Sequence, residues 1–412
     1  MTTKRDTTLL FATRITRLFA YGFLSVVIAL YLAEVGLTEA QIGLLFSLTL
    51  AGDASVTLWI TTTADRLGRR RMLILGALLM ILAGGVFLLT RNPLLLTLAA
   101  IVGVISPSGN EIGPFLSIEQ AGLTQLIPAE RRTSVFAWYN LVGSFATACG
   151  ALAGGWLAQG LQNNGMAALA SYQVVLAGYA LAGLILILAF LNVSPAVEIA
   201  AQEAGQPQPA QLFLGLHKSR NVVLKLSSLF ALDAFAGGLI IQSMLAFWFH
   251  VKYGIDPGVI GSIFFGANIL AGISALLAAP LSRKFGLINT MVFTHIPSNV
   301  LLILVPLMPN LPLAIMVLLA RFSISQMDVP TRQSYTMAVV APDERSAASG
   351  VTSIARSVGA SISPVLTGLF MSTPGLLSVP YFLCGGLKIV YDLLLFREFS
   401  AVKPPEEGKE TQ

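Results

Sequence analysis

Apolar residues run along this chain in long blocks broken by short polar stretches. Twelve blocks are long enough to cross a bilayer as helices: 9–33, 39–62, 73–90, 94–126, 133–158, 171–192, 222–250, 257–280, 288–308, 312–340, 346–371 and 376–396. About 20 residues suffice for one crossing. The even number leaves both termini on one side of the membrane.

The blocks form two sets of six with matching landmarks. Advancing 218 positions carries Gly36 onto Gly254, Gly43 onto Gly261, and Ala64-Asp65-Arg66-Leu67-Gly68 onto Ser282-Arg283-Lys284-Phe285-Gly286. A shift of 214 carries Pro128-Ala129-Glu130-Arg131 onto Pro342-Asp343-Glu344-Arg345. The pattern predicts an all-α membrane protein of two pseudo-symmetric six-helix bundles, residues 1–192 and 222–402. The connector 193–221 is polar and proline-bearing in its middle, as a flexible linker is. The tail 403–412, rich in Lys, Pro and Glu, is expected to be disordered.

Composition agrees with this pattern. Hydrophobic residues make up 55% of the chain and charged residues 11%, with a mean hydropathy of +0.78; a soluble domain carries about 25% charged residues. With the N-terminus inside, sixteen of the Lys and Arg residues fall on the inner side: Lys4, Arg5, Arg66, Arg69, Arg70, Arg71, Arg131, Arg132, Lys218, Arg220, Arg283, Lys284, Arg345, Arg397, Lys403 and Lys409. The outer loops hold two, Arg91 and Lys252. Cytoplasmic loops are where such residues accumulate, so both termini are expected in the cytoplasm of a multi-pass cell-membrane protein. The net charge of +5 then reflects topology and not nucleic-acid binding. No HExxH or paired-ligand spacing points to a metal, and no nucleotide loop or nucleophile constellation to an enzyme or a cofactor. Cys149 and Cys384 fall inside spans and are expected to be buried apolar side chains.

The loop Thr61-Thr62-Thr63-Ala64-Asp65-Arg66-Leu67-Gly68-Arg69-Arg70-Arg71 resembles the GxLaDRxGRRR hallmark between helices 2 and 3 of the major facilitator superfamily. Thr61 replaces the usual glycine and Thr63 the usual leucine; the second half is intact. The Pro-x-Glu-Arg loops after spans 4 and 10 are family-like too. The resemblance implies a twelve-helix secondary transporter. It also implies a conformational latch built on Asp65, Arg66, Gly68 and Arg69, with Asp65 pairing with Arg69 or approaching the positive end of helix 11 near Ser346. In span 5, Gly150-Ala151-Leu152-Ala153-Gly154-Gly155 keeps the glycines of the drug:proton antiporter pattern GPxxGG but lacks its proline. Close helix packing explains those glycines equally well.

Charges inside the spans mark the candidate site. A charge at the bilayer centre costs at least about 2.5–3.5 kcal/mol, so such residues face a polar interior and find partners. Arg17 lies roughly 12–14 Å into span 1, with Asp53 of span 2 and Glu119 of span 4 at similar depth. In the second half Arg332 and Arg356 share that layer, and Asp328 stands four residues before Arg332 on the same face. Arg14, Lys225, Lys388 and Asp392 lie near span ends and are open to a snorkelling reading. Span 4 contains Ser106-Pro107-Ser108-Gly109-Asn110-Glu111 and then Gly113-Pro114, while span 10 contains Asp328-Val329-Pro330. Interrupted helices at matching places in two repeats point to a substrate site. Glu111 is therefore the first candidate for a proton or substrate-cation group, followed by Asp233 in the apolar middle of span 7. Tyr21, Tyr139, Asn140, Gln242, Asn268 and His295 are open both to lining the same cavity and to ordinary interhelical bonds.

The leading expectation is a secondary transporter using alternating access, proton-coupled and exporting a small organic molecule, active in the bilayer as a monomer. The alternatives are a carrier of an organic or inorganic anion bound by Arg17, Arg332 and Arg356, and a sensor that kept the fold and lost the transport cycle.

Overall fold

The computed structural model describes residues 2–110, 113–198 and 216–401, and every regular element among them is helical. Span 1 is α1 (Thr2–Ser25) followed by α2 (Ile28–Glu34), bent by 42° between them. Spans 2 and 3 are α3 (Glu39–Leu67) and α4 (Arg69–Leu89). Span 4 is split into α5 (Pro93–Val102) and α6 (Phe115–Leu126). Spans 5 and 6 are α7 (Ala129–Asn163) and α8 (Ala168–Leu191).

The second half repeats this order. Span 7 divides into α9 (Arg220–Gly238) and α10 (Gln242–Tyr253); spans 8 and 9 are α11 (Pro257–Phe285) and α12 (Leu287–Leu304). Span 10 divides into α13 (Leu311–Phe322) and α14 (Asp328–Val339), followed by α15 (Arg345–Met371) and α16 (Val379–Phe399). All twelve expected spans are thus helical, four of them interrupted. Among the described residues nine helices pass a length and apolarity test for crossing a membrane, and the bent α1–α2 pair makes a tenth. Large apolar side chains such as Leu82, Leu181, Leu188 and Phe293 stand exposed on helix faces, the reverse of a soluble protein and the surface lipid requires.

Local chemistry accounts for the helix ends. Thr38 and Gln41 form a reciprocal capping box at the start of α3. Asn92 caps α5 ahead of Pro93, and Asn310 caps α13. The repeated glycines turn the chain. Gly36 and Gly254 have φ of 101° and 63°, and Gly68 and Gly286 have φ of 100° and 82°, values that residues with a Cβ rarely adopt. The repeat of these loop glycines is therefore structural as well as sequential.

The chain divides into two compact units, one of Met1–Pro207 with Ile241–Gly266 and one of Gln208–Ile240 with Ala267–Gln412. In the first, α1 lies against α7 so closely that a Cβ on Gly150 would strike the Phe19 carbonyl. In the second, α9 lies against α15 in the same way, and a Cβ on Gly359 would strike the Ala231 carbonyl. The span 5 glycines thus have a packing role whatever their subfamily meaning.

Candidate functional site: a charge cluster in each unit

In the first unit the buried charges meet where α1, α6 and α7 converge. Arg17 on α1 grips Glu119 on α6 with both arms: Nη1 donates to Oε1 at 2.9 Å and Nη2 to Oε2 at 2.8 Å. Both side chains are fully buried. Thr13, one turn earlier on α1, donates to Oε1 at 2.8 Å, and the Tyr139 hydroxyl donates to Oε2. Four donors on one carboxylate satisfy the burial of this pair, which an ion pair needs if its desolvation is to be offset. Arg14 lies over the Tyr139 ring, with Nε donating to the Tyr139 carbonyl at 2.7 Å and Nη2 to Asn140 at 3.2 Å. Asp53 is half-buried on α3. Glu111 lies outside the described residues.

In the second unit Asp233 on α9 gathers cations from three helices. Its Oδ2 accepts from Arg332 of α14 at 3.1 Å and Arg356 of α15 at 2.9 Å, and its Oδ1 accepts from Lys388 of α16 at 2.6 Å. Arg332 also donates to Asp328, four residues back on α14, at 2.9 Å. Asp233 and Asp328 are buried, whereas the Arg356 side chain is 34% exposed. Only one N–H of that guanidinium is engaged, by Asp233, among the described residues.

Beside this cluster, His295 on α12 bonds Asp392 on α16 at 2.9 Å, and Asn299 donates to the other Asp392 oxygen at 3.2 Å. The snorkelling reading fails for three of the four residues near span ends. Arg14, Lys388 and Asp392 point into their bundles because partners there satisfy them. Lys225 alone stays at the surface, bonded to Glu398. Cys149 departs from expectation, being exposed on α7, while Cys384 is buried. Among the described residues no cluster of His, Cys, Asp and Glu has metal-holding geometry.

Broken helices occur in both halves of the chain. The breaks in spans 4 and 10 were readable from Pro107, Pro114 and Pro330; those in spans 1 and 7 carry no proline. In the first unit the Ser243 hydroxyl donates to the Ser25 carbonyl at 2.8 Å, and the Ser243 N–H donates to the Pro107 carbonyl at 3.0 Å. Gln242 donates to the Ser25 hydroxyl at 2.7 Å. Helix breaking frees these backbone carbonyls, and a membrane interior requires that they be satisfied by protein. The Gly237-Gly238 pair was the one sequence signal for the span 7 break.

Two glutamates cap helices, one in each unit. Glu198 accepts from the backbone N–H of Arg69 at 2.7 Å and of Arg70 at 3.1 Å, at the positive start of α4. The Arg69 side chain donates to the Val197 carbonyl at 3.1 Å, and Arg70 to the Leu191 carbonyl at 2.7 Å. The arginines of the hallmark loop therefore bind the segment that leaves α8. Arg66 is exposed, and the Asp65 and Ser346 side chains lie outside what is described. Glu344, from the second Pro-x-Glu-Arg loop, accepts the N–H groups of His217, Lys218 and Ser219, ahead of α9. Burial raises its carboxyl pKa, but the Ser219 hydroxyl and these backbone donors outweigh burial and hold it down at about 2.

Comparison with known proteins agrees with the geometry. The family model described as Major Facilitator Superfamily matches residues 10–320 and 226–412. The uncharacterized membrane protein YJR124C of Saccharomyces cerevisiae is 32% identical over 425 residues, covering 97% of this chain and 95% of that protein. Among solved structures, a point mutant of the nucleoside transporter NupG superposes with a TM-score of 0.74 at 14% identity, covering 96% of this chain and all of that one. The D-xylose–proton symporter gives 0.72 at 15% identity over 98% and 99% of the two chains. The human organic anion transporter MFSD10 gives 0.62 at 16% identity over 96% and 100%. Structural likeness at such identity speaks for the fold alone, but the family match spans the chain. The chain belongs to the major facilitator superfamily.

Proposed function

We propose that this protein is a secondary transporter working by alternating access, and that its substrate is a small organic molecule with an anionic group held by Arg356. The observation that carries this reading is the guanidinium of Arg356. It sits eleven residues into α15, roughly 16 Å along the helix, is one-third exposed, and spends a single N–H on Asp233. A guanidinium offers five donors in a planar fork suited to carboxylate and phosphate. Keeping such a group within an apolar helix costs a few kcal/mol, and a cation held only for structure would be buried and fully bonded, as Arg17 is. Lys388, 12% exposed and on the same carboxylate, adds a second positive group beside it. Arg332 serves chiefly to hold Asp233 and Asp328.

Proton-coupled export is the weaker reading on the described residues. Of the carboxylates it would use, Glu119 and Asp233 are each occupied by cations, and Glu111 is not described. The structural neighbours carry nucleosides, a sugar and organic anions by their names, so fold does not choose the cargo. The Asp65–Arg69 loop is assigned the latch role that the resemblance implies. The Arg-rich end is placed in the cytoplasm, and one chain is taken as the working unit.

Thermal stabilisation of the purified protein by benzoate and benzenesulfonate, against benzyl alcohol as the uncharged control, tests the substrate class. The reading expects stabilisation by the anions alone and its loss in Arg356→Gln. Equal effects of charged and uncharged probes would overturn it.

A further inference from the structure

Arg321 carries a positive charge deep in span 10. It is the eleventh residue of α13, about 15 Å along the helix from Leu311, half the thickness of a hydrocarbon core of about 30 Å. Its Nε is buried without a hydrogen-bond partner, and no ion pair reaches its guanidinium among the described residues. At that depth the side chain is too far from either surface to snorkel.

The helix sets its direction. On α13, Ala314 and Leu318 are 0% exposed and Met316 is 62% exposed, so one face meets protein and the other lipid. At about 100° per residue, Arg321 falls within about 20° of Ala314 and about 140° from Met316. The side chain therefore points into its bundle. Its electrostatic neighbours there are Cys384 and Tyr381 on α16 and Asp328 on α14.

A second polar atom in the same break is also unmatched. Ser325 is 5% exposed, and its Oγ is buried without a hydrogen-bond partner among the described residues. The Ser323 N–H donates to the Leu319 carbonyl at 3.1 Å and the Ile324 N–H to the Arg321 carbonyl at 3.2 Å, so the chain keeps winding past the end of α13. Ser325, four residues on, returns to the side of Arg321. Buried polar groups are nearly always bonded, and a charge within a membrane span needs a partner more than any of them.

The charge count agrees. The spans of the second unit hold Arg321, Arg332, Arg356 and Lys388 against Asp233, Asp328 and Asp392, with Lys225 apart on Glu398. Each carboxylate is taken: Asp233 by three cations, Asp328 by Arg332, and Asp392 by His295 and Asn299. With histidine counted neutral, four cations face three carboxylates and one positive charge is left over. By geometry that charge is on Arg321.

We propose that the break in span 10 binds a small monovalent inorganic anion of the chloride type, with the Arg321 guanidinium as its counter-charge and the Ser325 hydroxyl as a second donor. The arginine excludes a metal cation, and the burial of Nε and Oγ favours a bare ion over an organic anion. The site is separate from the contact proposed for Arg356, whose one bond goes to Asp233. It therefore fills with or without substrate.

Thermal melting of the purified full chain tests the site. The protein is exchanged into sodium gluconate and titrated with sodium chloride at constant ionic strength. A ligand of the folded state stabilises it saturably, so chloride should raise the melting temperature of wild type to a plateau. Arg356→Gln should respond equally, whatever becomes of the substrate reading, and Arg321→Gln should not respond. If Arg321→Gln does not fold, Ser325→Ala decides: the lost donor to a charged partner should raise the half-saturating chloride concentration about tenfold. A wild type indifferent to chloride, or a Ser325→Ala or Arg321→Gln chain that responds as wild type does, overturns the proposal. Benzenesulfonate supplies the other arm. Stabilisation by it that vanishes in Arg321→Gln, with no effect of chloride on wild type, would give Arg321 to the substrate and overturn the separate ion site.

Discussion

Lys388 and Asp233 lie 155 positions apart and meet at 2.6 Å between Nζ and Oδ1, closing a ring of three cations around one carboxylate. Four helices, α9, α14, α15 and α16, are tied at that point. Removing the carboxylate therefore acts on all of them at once.

Asp233→Asn leaves Arg332, Arg356 and Lys388 without their common anion. Breaking a buried ion pair from one side costs about 3–5 kcal/mol, with little of it from the part-exposed Arg356. Thermal melting in detergent should fall sharply for this variant, and Asp233→Asn combined with Lys388→Met should recover part of the loss. A single variant as stable as wild type would mean that the cluster does not hold the bundle.

In the other unit, Glu119→Gln strips Arg17 of a bidentate partner and should cost a similar 3–5 kcal/mol. Tyr139→Phe removes one of four donors to Glu119 and should cost about 1 kcal/mol. Denaturation of both variants checks the ranking. Equal losses would show that the hydroxyl, and not the guanidinium, dominates the pair.

Glu344 predicts a pH dependence. Its folded pKa of about 2 lies below the ordinary carboxyl value of 4.5. The carboxylate therefore contributes stability that is fully present above the ordinary value and is lost as pH falls towards about 2. Glu344→Gln should be less stable than wild type at neutral pH, with the gap closing as pH drops through that window. A gap that stays constant between neutral pH and about pH 3 would contradict the capping role.

The twelve spans, the repeated loop glycines and the presence of charges such as Arg17, Glu119 and Arg332 within spans were legible because apolar length and intramembrane charge leave direct marks on a sequence. Lys388 and Asp392 were harder, since nearness to a span end says nothing about which way a side chain points. Their spacing of four residues on α16 was the available signal. The breaks in spans 1 and 7 left little trace, because Ser25 and the Ser243 backbone are ordinary residues until a neighbouring helix needs their hydrogen bonds. Glu198 and Glu344 were invisible as caps, because each reaches a helix more than a hundred residues away in sequence.

Uptake by proteoliposomes tests the central claim most directly. Purified protein would be reconstituted and offered radiolabelled benzoate, with benzyl alcohol as the uncharged comparison and empty liposomes as background. The account predicts saturable uptake of the anion above background, its loss in Arg356→Gln, and a clear reduction in Arg356→Lys, which keeps the charge but not the fork. Saturable benzoate uptake by Arg356→Gln at the wild-type rate would contradict it.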